Sequence, residues 1–333
     1  MSISDHAREL HQRAIIIDGH NDTLILHQSR GQSLDLTQRD ENYHLDIPRA
    51  LEGGLTCSFF MVGDTDHKQA MVLIDGAHRL AEEHPDQVIL ATCAAEIERA
   101  AAEEKFAIVA QLEGCTFADG EIATIRNAYR LGVRVVGLTH GEGGAGTTQQ
   151  ENSIFDFATP EEREQARHRP GLTEFGREVV SECNRLGMLV DLAHSSDAAF
   201  YDAVELSEDP IVFSHGGVFE ECPHWRGLTE DQLRLLGENG GVIGMAFVPH
   251  FIDRENPSIE RLVDSIEHII DLAGPDHVGL GADFDGISVP PIPPKAEDLP
   301  LVTEALVQRG LDDETVLKIL GGNFLRVIRE VVG

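Results

Sequence analysis

Imidazole and carboxylate side chains recur directly after short apolar runs of this sequence. They share one placement, at the carboxyl end of a run that reads as a β-strand, and they are His20 with Asp22, Glu113, His140, His194, His215 and Asp283. Any one of these histidines alone would be read as a hydrogen-bonded core or rim residue. Six such positions in one chain favour a common site, because the carboxyl ends of parallel barrel strands meet at one mouth.

The mixture of imidazoles and carboxylates indicates a metal site. His20 and Asp22 are two residues apart, so in an extended segment their side chains point the same way and can hold one cation. With Glu113, His194 and His215 they make more ligands than one tetrahedral zinc ion needs, so we predict two divalent ions, Zn²⁺ by ligand type. A bridging anion is then required. None of the four lysines follows a predicted strand, and Glu113 is therefore the predicted bridge.

The remaining polar residues suit metal-assisted hydrolysis. Two cations that flank a water turn it into hydroxide near neutral pH and polarise the carbonyl that it attacks. Asp283 is predicted to take the proton and pass it to a departing amine. His140, outside the ligand set, could steady the oxyanion, and Arg226 could clamp a substrate carboxylate. An arginine in a loop is usually solvated surface, which is the alternative interpretation of Arg226, and Asp285 could serve only the turn.

These side chains need parallel strands to position them, and eight apolar runs supply the pattern. The runs are Ala14–Asp18, Leu55–Val62, Phe106–Leu112, Val133–Leu138, Met188–Leu192, Pro210–Phe213, Gly241–Val248 and His277–Leu280. Near-continuous apolarity is typical of parallel strands that are buried on both faces. The amphipathic stretches between them predict helices at Asp66–Glu83, Ala94–Glu104, Gly120–Leu131, Glu174–Leu186, Asp197–Leu206, Glu230–Glu238 and Ser258–Ala273.

Eight strand–helix units predict an α/β fold, a closed (β/α)8 TIM-type barrel in one domain spanning 1–333. A doubly wound open sheet is the alternative. The tail, Pro300–Val332, predicts further helices that pack on the outside of the barrel. One connection, about 141–172, is far longer than the others and is predicted to be an active-site loop. It opens with GEGGAGTT, but no Gly-Lys-Ser/Thr follows, so a phosphate cradle is not favoured.

The composition excludes several classes of partner. Lys and Arg number 26 against 58 Asp and Glu, a formal charge of −32, which repels nucleic acid and anionic membranes. Five cysteines include no Cys-X-X-Cys pair, which argues against a disulfide framework. The N-terminal segment MSISDHARELHQRA lacks the apolar core of a secretory signal. We therefore predict a cytoplasmic protein.

Along nearly its whole length the chain resembles the membrane (renal) dipeptidase family of binuclear zinc peptidases. The segments IDGHNDTL, QLEGC, LGVRVVGLTH, VFSHGG, DHVGLGADFDG and LGGNFLRV are similar to the blocks of that family and occur in the same order. The resemblance implies a barrel in which His20 and Asp22 hold one zinc ion and His194 and His215 hold the other. It implies that Glu113 bridges the two ions.

The resemblance also implies roles beyond the metals. His140 would bind the reacting carbonyl oxygen, Arg226 would contact the substrate, and Asp283 would meet the substrate amine and shuttle protons. The family cleaves dipeptides and tolerates a D-residue at the C-terminal position, and its members suggest a homodimer. The chain departs from the family's pattern after His140 and after Arg226, and Phe251 stands where relatives carry tyrosine, so the side-chain preference need not follow.

Three functions are compatible with this pattern. The main interpretation is a metal-dependent dipeptidase that hydrolyses small unblocked dipeptides, including L,D-dipeptides. The alternative is another amidohydrolase reaction on the same two-metal site, such as lactam, lactone or N-acyl amino acid hydrolysis. A metal-binding protein without turnover is the third, and the presence of Asp283 and His140 argues against it, because metal binding needs neither.

Overall fold

The computed structural model of the chain describes residues 2–64, 66–140 and 171–333. Ten β-strands lie within these ranges. They are β1 (Ile16–Asn21), β2 (Leu55–Gly63), β3 (Val88–Leu90), β4 (Phe106–Leu112), β5 (Val133–Gly137), β6 (Leu189–Asp191), β7 (Val212–Val218), β8 (Gly227–Leu228), β9 (Val242–Met245) and β10 (Val278–Leu280).

Eight of the strands form a closed barrel in which every pairing is parallel. Their order is β1, β2, β4, β5, β6, β7, β9, β10 and back to β1. The pairing of Asp18 with Leu280 joins β10 to β1 and completes the closure. The predicted (β/α)8 TIM-type barrel is confirmed, and the doubly wound alternative is wrong, because an open sheet would not pair its first and last strands.

Two short strands were not predicted. β3 pairs with the first half of β4, and β8 pairs with the end of β7. They contain three and two residues, too few to produce a detectable apolar pattern. β8 bears on the site because it starts immediately after Arg226.

β1 continues past Asp18, where the sequence pattern ended it. The Asp18 carboxylate is buried and accepts hydrogen bonds from Ser58 Oγ and the backbone nitrogen of Ala282, both at 2.6 Å. A polar side chain that is satisfied in this way does not end a strand. His20 therefore lies within β1, and β7 likewise runs through His215 instead of ending before it.

Fourteen α-helices lie in the described residues. They are α1 (Asp5–Arg13), α2 (Thr23–Ser29), α3 (Ile47–Glu52), α4 (His67–Glu83), α5 (Ala94–Ala102), α6 (Ile122–Arg130), α7 (Glu174–Leu186), α8 (Asp197–Leu206), α9 (Glu230–Asn239), α10 (Pro249–Ile252), α11 (Ile259–Ala273), α12 (Pro300–Arg309), α13 (Asp313–Leu317) and α14 (Asn323–Val331). The seven helices predicted between the strands are α4 to α9 and α11, each within about two residues of its predicted bounds. α9 begins at a capping box formed by Thr229 and Gln232.

The last helix closes the amino-terminal end of the barrel. Phe324 of α14 packs among inward-facing strand residues such as Ile17 and Phe59. Gly19 and Gly279 make room for its ring, since a Cβ at either position would lie 2.8 or 2.7 Å from a ring carbon. The prediction that the tail packs outside is therefore wrong for α14, whereas α12 does pack outside, on α1 and α11. With the base filled, the carboxyl-terminal mouth is the end available for chemistry.

The predicted long loop, about 141–172, lies outside the described residues except at its last two positions. The described chain resumes at residue 171, and the backbone nitrogen of Leu172 donates to the Asp202 carboxylate at 2.8 Å. Among the helices described, none combines the length and the apolar character that crossing a membrane requires.

Candidate metal centre

The five predicted metal ligands come together at the carboxyl-terminal mouth. The Nε2 atom of His20 lies 3.2 Å from Asp22 Oδ2 and 3.3 Å from Glu113 Oε1. The Nε2 atoms of His194 and His215 lie 3.1 and 3.6 Å from the same Glu113 oxygen, and they are 3.2 Å apart. Glu113 thus stands between a His20–Asp22 pair and a His194–His215 pair.

Three residues around this mouth have a left-handed backbone conformation. His194 has φ of 68°, and Asp283 and Asp285 have φ of 60° and 65°. Residues other than glycine rarely adopt this region, at a cost of about 1–3 kcal/mol each, and such strain concentrates at functional sites. Three strained positions around one mouth therefore point to a functional site there.

The charge states of the imidazoles suit metal binding. Burial lowers the pKa of His194 and of His215 well below the usual histidine value, and nearby cationic groups add to the shift. Both rings are therefore neutral, the form that binds a metal. Burial also lowers the pKa of His20, but the carboxylates of Glu113 and Asp22 outweigh it and raise that pKa well above its usual value. Positive charge is thus favoured at the His20 position.

The donor chemistry fits divalent metal ions. Three groups of ligand atoms have all members within 4.8 Å of one another, and they are His20–Glu113–His215, Glu113–His140–His194 and His20–Asp22–Asp283. Because two groups share His20 and two share Glu113, the described residues offer overlapping positions for more than one ion. Imidazole and carboxylate donors of this kind suit zinc. His140 and Asp283, which were not among the five predicted ligands, also lie within this cluster.

His140 is held by Asp64, a residue that the sequence reasoning missed. The Nδ1 atom of His140 lies 2.8 Å from Asp64 Oδ2, and Asp64 directly follows β2. Burial lowers the pKa of His140, but the carboxylates of Glu113 and Asp64 raise it to about 9. The ring is therefore cationic, and its Nε2 lies 3.9 Å from Glu113 Oε2. The signal that could have found Asp64 is the one used elsewhere, a carboxylate at the end of an apolar run.

Asp283 is buried beside the ligand cluster, three residues beyond β10. Its backbone nitrogen donates to the carbonyl oxygen of His20 at 3.1 Å, which fixes it next to β1. Burial raises the pKa of Asp283 to about 7, with Asp22 and Glu113 adding to the shift and His20 and Arg226 opposing it. A carboxyl group that exchanges its proton near neutrality is suited to general acid–base chemistry.

Arg226 is not a solvated loop residue, because only 5% of it is exposed. Its Nη2 donates to the carbonyl oxygen of His215 at 3.1 Å. The guanidinium carbon lies 5.4 Å from the ring centroid of Trp225 and 5.7 Å from that of Phe251. Its Nε atom has no hydrogen-bond partner within the described ranges. A buried guanidinium with donors to spare is suited to a carboxylate ligand.

Asp285 has a structural use beyond its own turn. Its Oδ1 accepts a hydrogen bond from the backbone nitrogen of His44 at 2.7 Å, and its Oδ2 accepts one from Thr23 Oγ1 at 2.7 Å. The carboxylate therefore ties the segment before α3 to the start of α2. The two acids of the Asp-Phe-Asp segment thus have different positions. Asp283 lies beside the ligand cluster, and Asp285 holds together the segments that surround it.

A cavity of about 390 Å³ lies over the cluster. Charged and imidazole side chains form one part of its lining, among them Asp22, Glu113, His140, His194, His215, Arg226 and Asp283. Apolar side chains form the rest, including Ile25, Leu26, Met61, Val248, Phe251 and Ile287. A cavity of this size, with apolar walls beside convergent charged groups, is suited to a small polar molecule.

Sequence comparisons place the chain among dipeptidases. The model of the family Membrane dipeptidase (Peptidase family M19) matches residues 4–332. Dipeptidase tcpJ from Claviceps purpurea (strain 20.1) is 34% identical over 340 residues, which cover 94% of this chain and 76% of that protein. Dipeptidase aclJ from Aspergillus oryzae (strain ATCC 42149 / RIB 40) is 30% identical over 350 residues, which cover 96% of this chain and 78% of that protein.

Solved structures agree with the sequence matches. Dipeptidase AC, a metallopeptidase of family M19, superposes with a TM-score of 0.85 at 26% identity, covering 96% of this chain and 99% of that one. A metallopeptidase from Rhodobacter sphaeroides, solved with a phosphinate mimic of the dipeptide L-Ala-D-Ala, gives 0.84 at 25% identity, with coverage of 96% and 99%. The resemblance seen in the sequence is confirmed, and this chain belongs to the membrane dipeptidase family, peptidase family M19, a family of metallopeptidases.

Proposed function

We propose that this protein is a metal-dependent dipeptidase that hydrolyses small unblocked dipeptides, L,D-dipeptides included. The observation that carries the proposal is that the buried carboxylate of Asp283 and the buried guanidinium of Arg226 both line the cavity that contains the ligand cluster. A dipeptide has one free ammonium and one free carboxylate close together, and these complement the two charges. A longer peptide would separate its terminal charges too far to meet both.

The metal ions are part of this proposal. His20 and Asp22 would hold one divalent ion, His194 and His215 would hold a second, and Glu113 would be shared between them, with zinc favoured by the donor set. When bound, such ions polarise the scissile carbonyl and lower the pKa of the attacking water.

The chain's own side chains have separate tasks around the reacting amide. Asp283 takes a proton from the attacking water and returns it to the departing amine. The cationic ring of His140 donates from Nε2 to the carbonyl oxygen as that oxygen gains negative charge. Asp64 keeps the ring in this orientation by accepting from Nδ1. Arg226 holds the substrate carboxylate and so fixes the scissile bond relative to Asp283.

Acceptance of a D-residue at the C-terminal side is supported by similarity. The Rhodobacter sphaeroides metallopeptidase, which covers 96% of this chain, was solved with a mimic of L-Ala-D-Ala. In the present chain the guanidinium of Arg226 is flanked by the rings of Trp225 and Phe251. Apolar ring surfaces beside the group that would bind the substrate carboxylate suit a small apolar C-terminal residue such as alanine.

Blocking either end of the substrate is expected to lower kcat/KM by at least about tenfold. Each lost charge contact leaves a buried partner unpaired, which costs about 1–3 kcal/mol. The measurement compares L-Ala-L-Ala and L-Ala-D-Ala with their N-acetylated and C-amidated forms and with a tetrapeptide, using zinc-reconstituted enzyme. An Arg226→Lys variant provides the matched control. It should lower kcat/KM for free dipeptides. It should lower kcat/KM for C-amidated dipeptides much less, because these substrates already lack the carboxylate that Arg226 would bind.

Equal rates on blocked and free substrates would contradict the two-ended recognition. Absence of turnover on every dipeptide, together with rapid lactone, lactam or N-acyl amino acid hydrolysis, would assign the site to the alternative amidohydrolase reaction. An inactive protein that still binds metal would assign it to metal binding alone.

His140→Ala is expected to lower kcat by about 10²–10³-fold while metal content stays at the wild-type level. The substitution removes the oxyanion donor and leaves the five proposed ligands in place. Asp64→Asn should lower kcat in the same direction by a smaller factor, because the ring remains but is no longer held as a cation. Elemental analysis and steady-state kinetics on the same preparations check both variants. Loss of metal in His140→Ala would make His140 a ligand instead.

A further inference from the structure

Asp191 collects four hydrogen bonds behind the metal centre. It is the last residue of β6, and 1% of it is exposed. Its Oδ1 accepts from the backbone nitrogens of Ala193 at 3.0 Å and Ser214 at 2.9 Å. Its Oδ2 accepts from Gln111 Nε2 at 2.7 Å and from Ser214 Oγ at 2.6 Å. The carboxylate thus joins β6 to side chains of β4 and β7.

Each of the two side chains on Oδ2 continues to a different histidine. Gln111 Oε1 lies 2.8 Å from Nδ1 of His20. Ser214 Oγ lies 2.9 Å from Nδ1 of His215. One carboxylate is therefore connected to a histidine of the His20–Asp22 pair and to a histidine of the His194–His215 pair.

The chemistry of these groups fixes the direction of every hydrogen bond. An ionised carboxylate only accepts, so Gln111 must direct its NH₂ group toward Asp191 and its oxygen toward His20. The single hydroxyl proton of Ser214 is donated to Asp191, so the Ser214 oxygen can only accept a hydrogen bond from His215. Both rings therefore carry a proton on Nδ1. Their Nε2 atoms, which lie 3.3 and 3.6 Å from Glu113 Oε1, are therefore the ring nitrogens left to bind a metal.

We propose that Asp191 is the shared positioning residue of the metal centre, which sets the ring orientation and proton position of one histidine at each ion. This inference rests on the proposed two-ion site. His194 lies outside the arrangement, because its Nδ1 has no hydrogen-bond partner in the part of the chain that the structure describes. Its ring is instead packed edge-on against the rings of His140 and Trp225, with centroids 4.5 and 5.9 Å away. Asp191 therefore orients one histidine ligand at each ion position, His20 at one and His215 at the other, and leaves the remaining ligands unaffected.

The first test is Asp191→Asn, which changes an acceptor into a donor at nearly constant shape. Gln111 and Ser214 must then turn their acceptors toward the new amide and offer protons to His20 and His215. This favours placing the ring proton on Nε2, the ligand atom. Loss of such a supporting group typically weakens metal binding by about 10–100-fold, and we expect a loss of this size at both ion positions. Zinc titration of the metal-free protein against a chromophoric chelator measures the two affinities without substrate.

Three further variants separate this role from general destabilisation. Gln111→Leu should weaken only the ion held by His20, and Ser214→Ala only the ion held by His215. Asp46→Asn serves as the matched control, because Asp46 is a buried carboxylate, 2% exposed, that caps α3 and pairs with Arg49. It should lower the melting temperature and leave both zinc affinities unchanged.

A spectroscopic readout holds even if Asp191→Asn fails to fold. In zinc-loaded wild-type protein labelled with ¹⁵N-histidine, the Nδ1 protons of His20 and His215 should appear as slowly exchanging ring N–H signals. Gln111→Leu should remove the protection of the first and Ser214→Ala that of the second. Wild-type zinc affinities in a folded Asp191→Asn protein, or Nδ1 atoms without protons in the wild type, would overturn the proposal. Neither result depends on dipeptide hydrolysis, so failure of the proposed function would be seen separately in the substrate assays.

Discussion

Glu113→Gln is expected to lower the metal content at both ion positions and to reduce kcat/KM by at least about 10³-fold. The glutamine keeps the shape of the side chain but removes the negative charge that lies within 3.6 Å of the Nε2 atoms of His20, His194 and His215. A metal ion contributes several kcal/mol of transition-state stabilisation, and each 1.36 kcal/mol corresponds to a tenfold change in rate. Elemental analysis of protein purified without chelator should give about two divalent ions per chain for the wild type and fewer than about one for the variant.

Two control variants sharpen this experiment. His215→Ala should chiefly empty one position, because His215 belongs to one pair only. Glu182→Gln removes another buried glutamate, which pairs with Arg126 and Arg185 on the outside of the barrel, and it should leave metal content unchanged. A wild-type protein that is fully active with a single ion would exclude the bridging role of Glu113.

Asp283→Asn is expected to lower kcat/KM by about 10²–10⁴-fold with both ions retained. General acid–base catalysis contributes an effect of this size, and the same change removes the negative partner of the substrate ammonium. Asparagine is nearly isosteric and can keep the backbone contact with His20. Steady-state kinetics on L-Ala-L-Ala and elemental analysis of the same preparation measure the two quantities. If the ions are lost together with the rate, Asp283 is a ligand, as its place in a group with His20 and Asp22 would allow.

Asp285→Asn is the matched control for Asp283→Asn. Asp285 is also a buried aspartate with left-handed backbone, two residues away, but its carboxylate is used by His44 and Thr23. The substitution should lower the melting temperature more than it lowers kcat/KM. An equal loss of rate in both variants would show that the Asp283 effect comes from the wall of the cavity and not from proton transfer.

Several features of the site could be predicted because they follow from local sequence and one topological rule. The pair His20 and Asp22 was found from its spacing of two, and Glu113 from its place after an apolar run. Arg226 was different. Nothing local distinguishes a loop arginine that is solvated from one that lies under Trp225 and Phe251, so its burial could be read only from the folded chain.

The boundaries of the strands show the same division. The apolar runs located the barrel strands to within a few residues, since burial on both faces imposes a recognisable composition. The run containing Asp18 was cut short, because the hydrogen bonds that satisfy its carboxylate come from Ser58 and Ala282, which are 40 and 264 residues away in the chain. The closure of the amino-terminal end of the barrel by α14 could not be predicted either, because it also depends on contacts between distant residues. The packing of Phe324 against Gly19 depends on how far α14 reaches into the barrel.

By itself, the sequence determined that His20, Asp22, Glu113, His140, His194, His215 and Asp283 reach the mouth of the barrel, although not Asp64 or the burial of Arg226. Parallel strands place their carboxyl ends together whatever the details of packing, so residue type and position within each run were sufficient. Only the tertiary structure decided which partners hold those side chains. Asp64 supports His140, which lies 76 residues away in the sequence, and Asp191 accepts a hydrogen bond from Gln111, which lies 80 residues away. Contacts of this range depend on strand register and barrel closure, and no local pattern in the sequence encodes them.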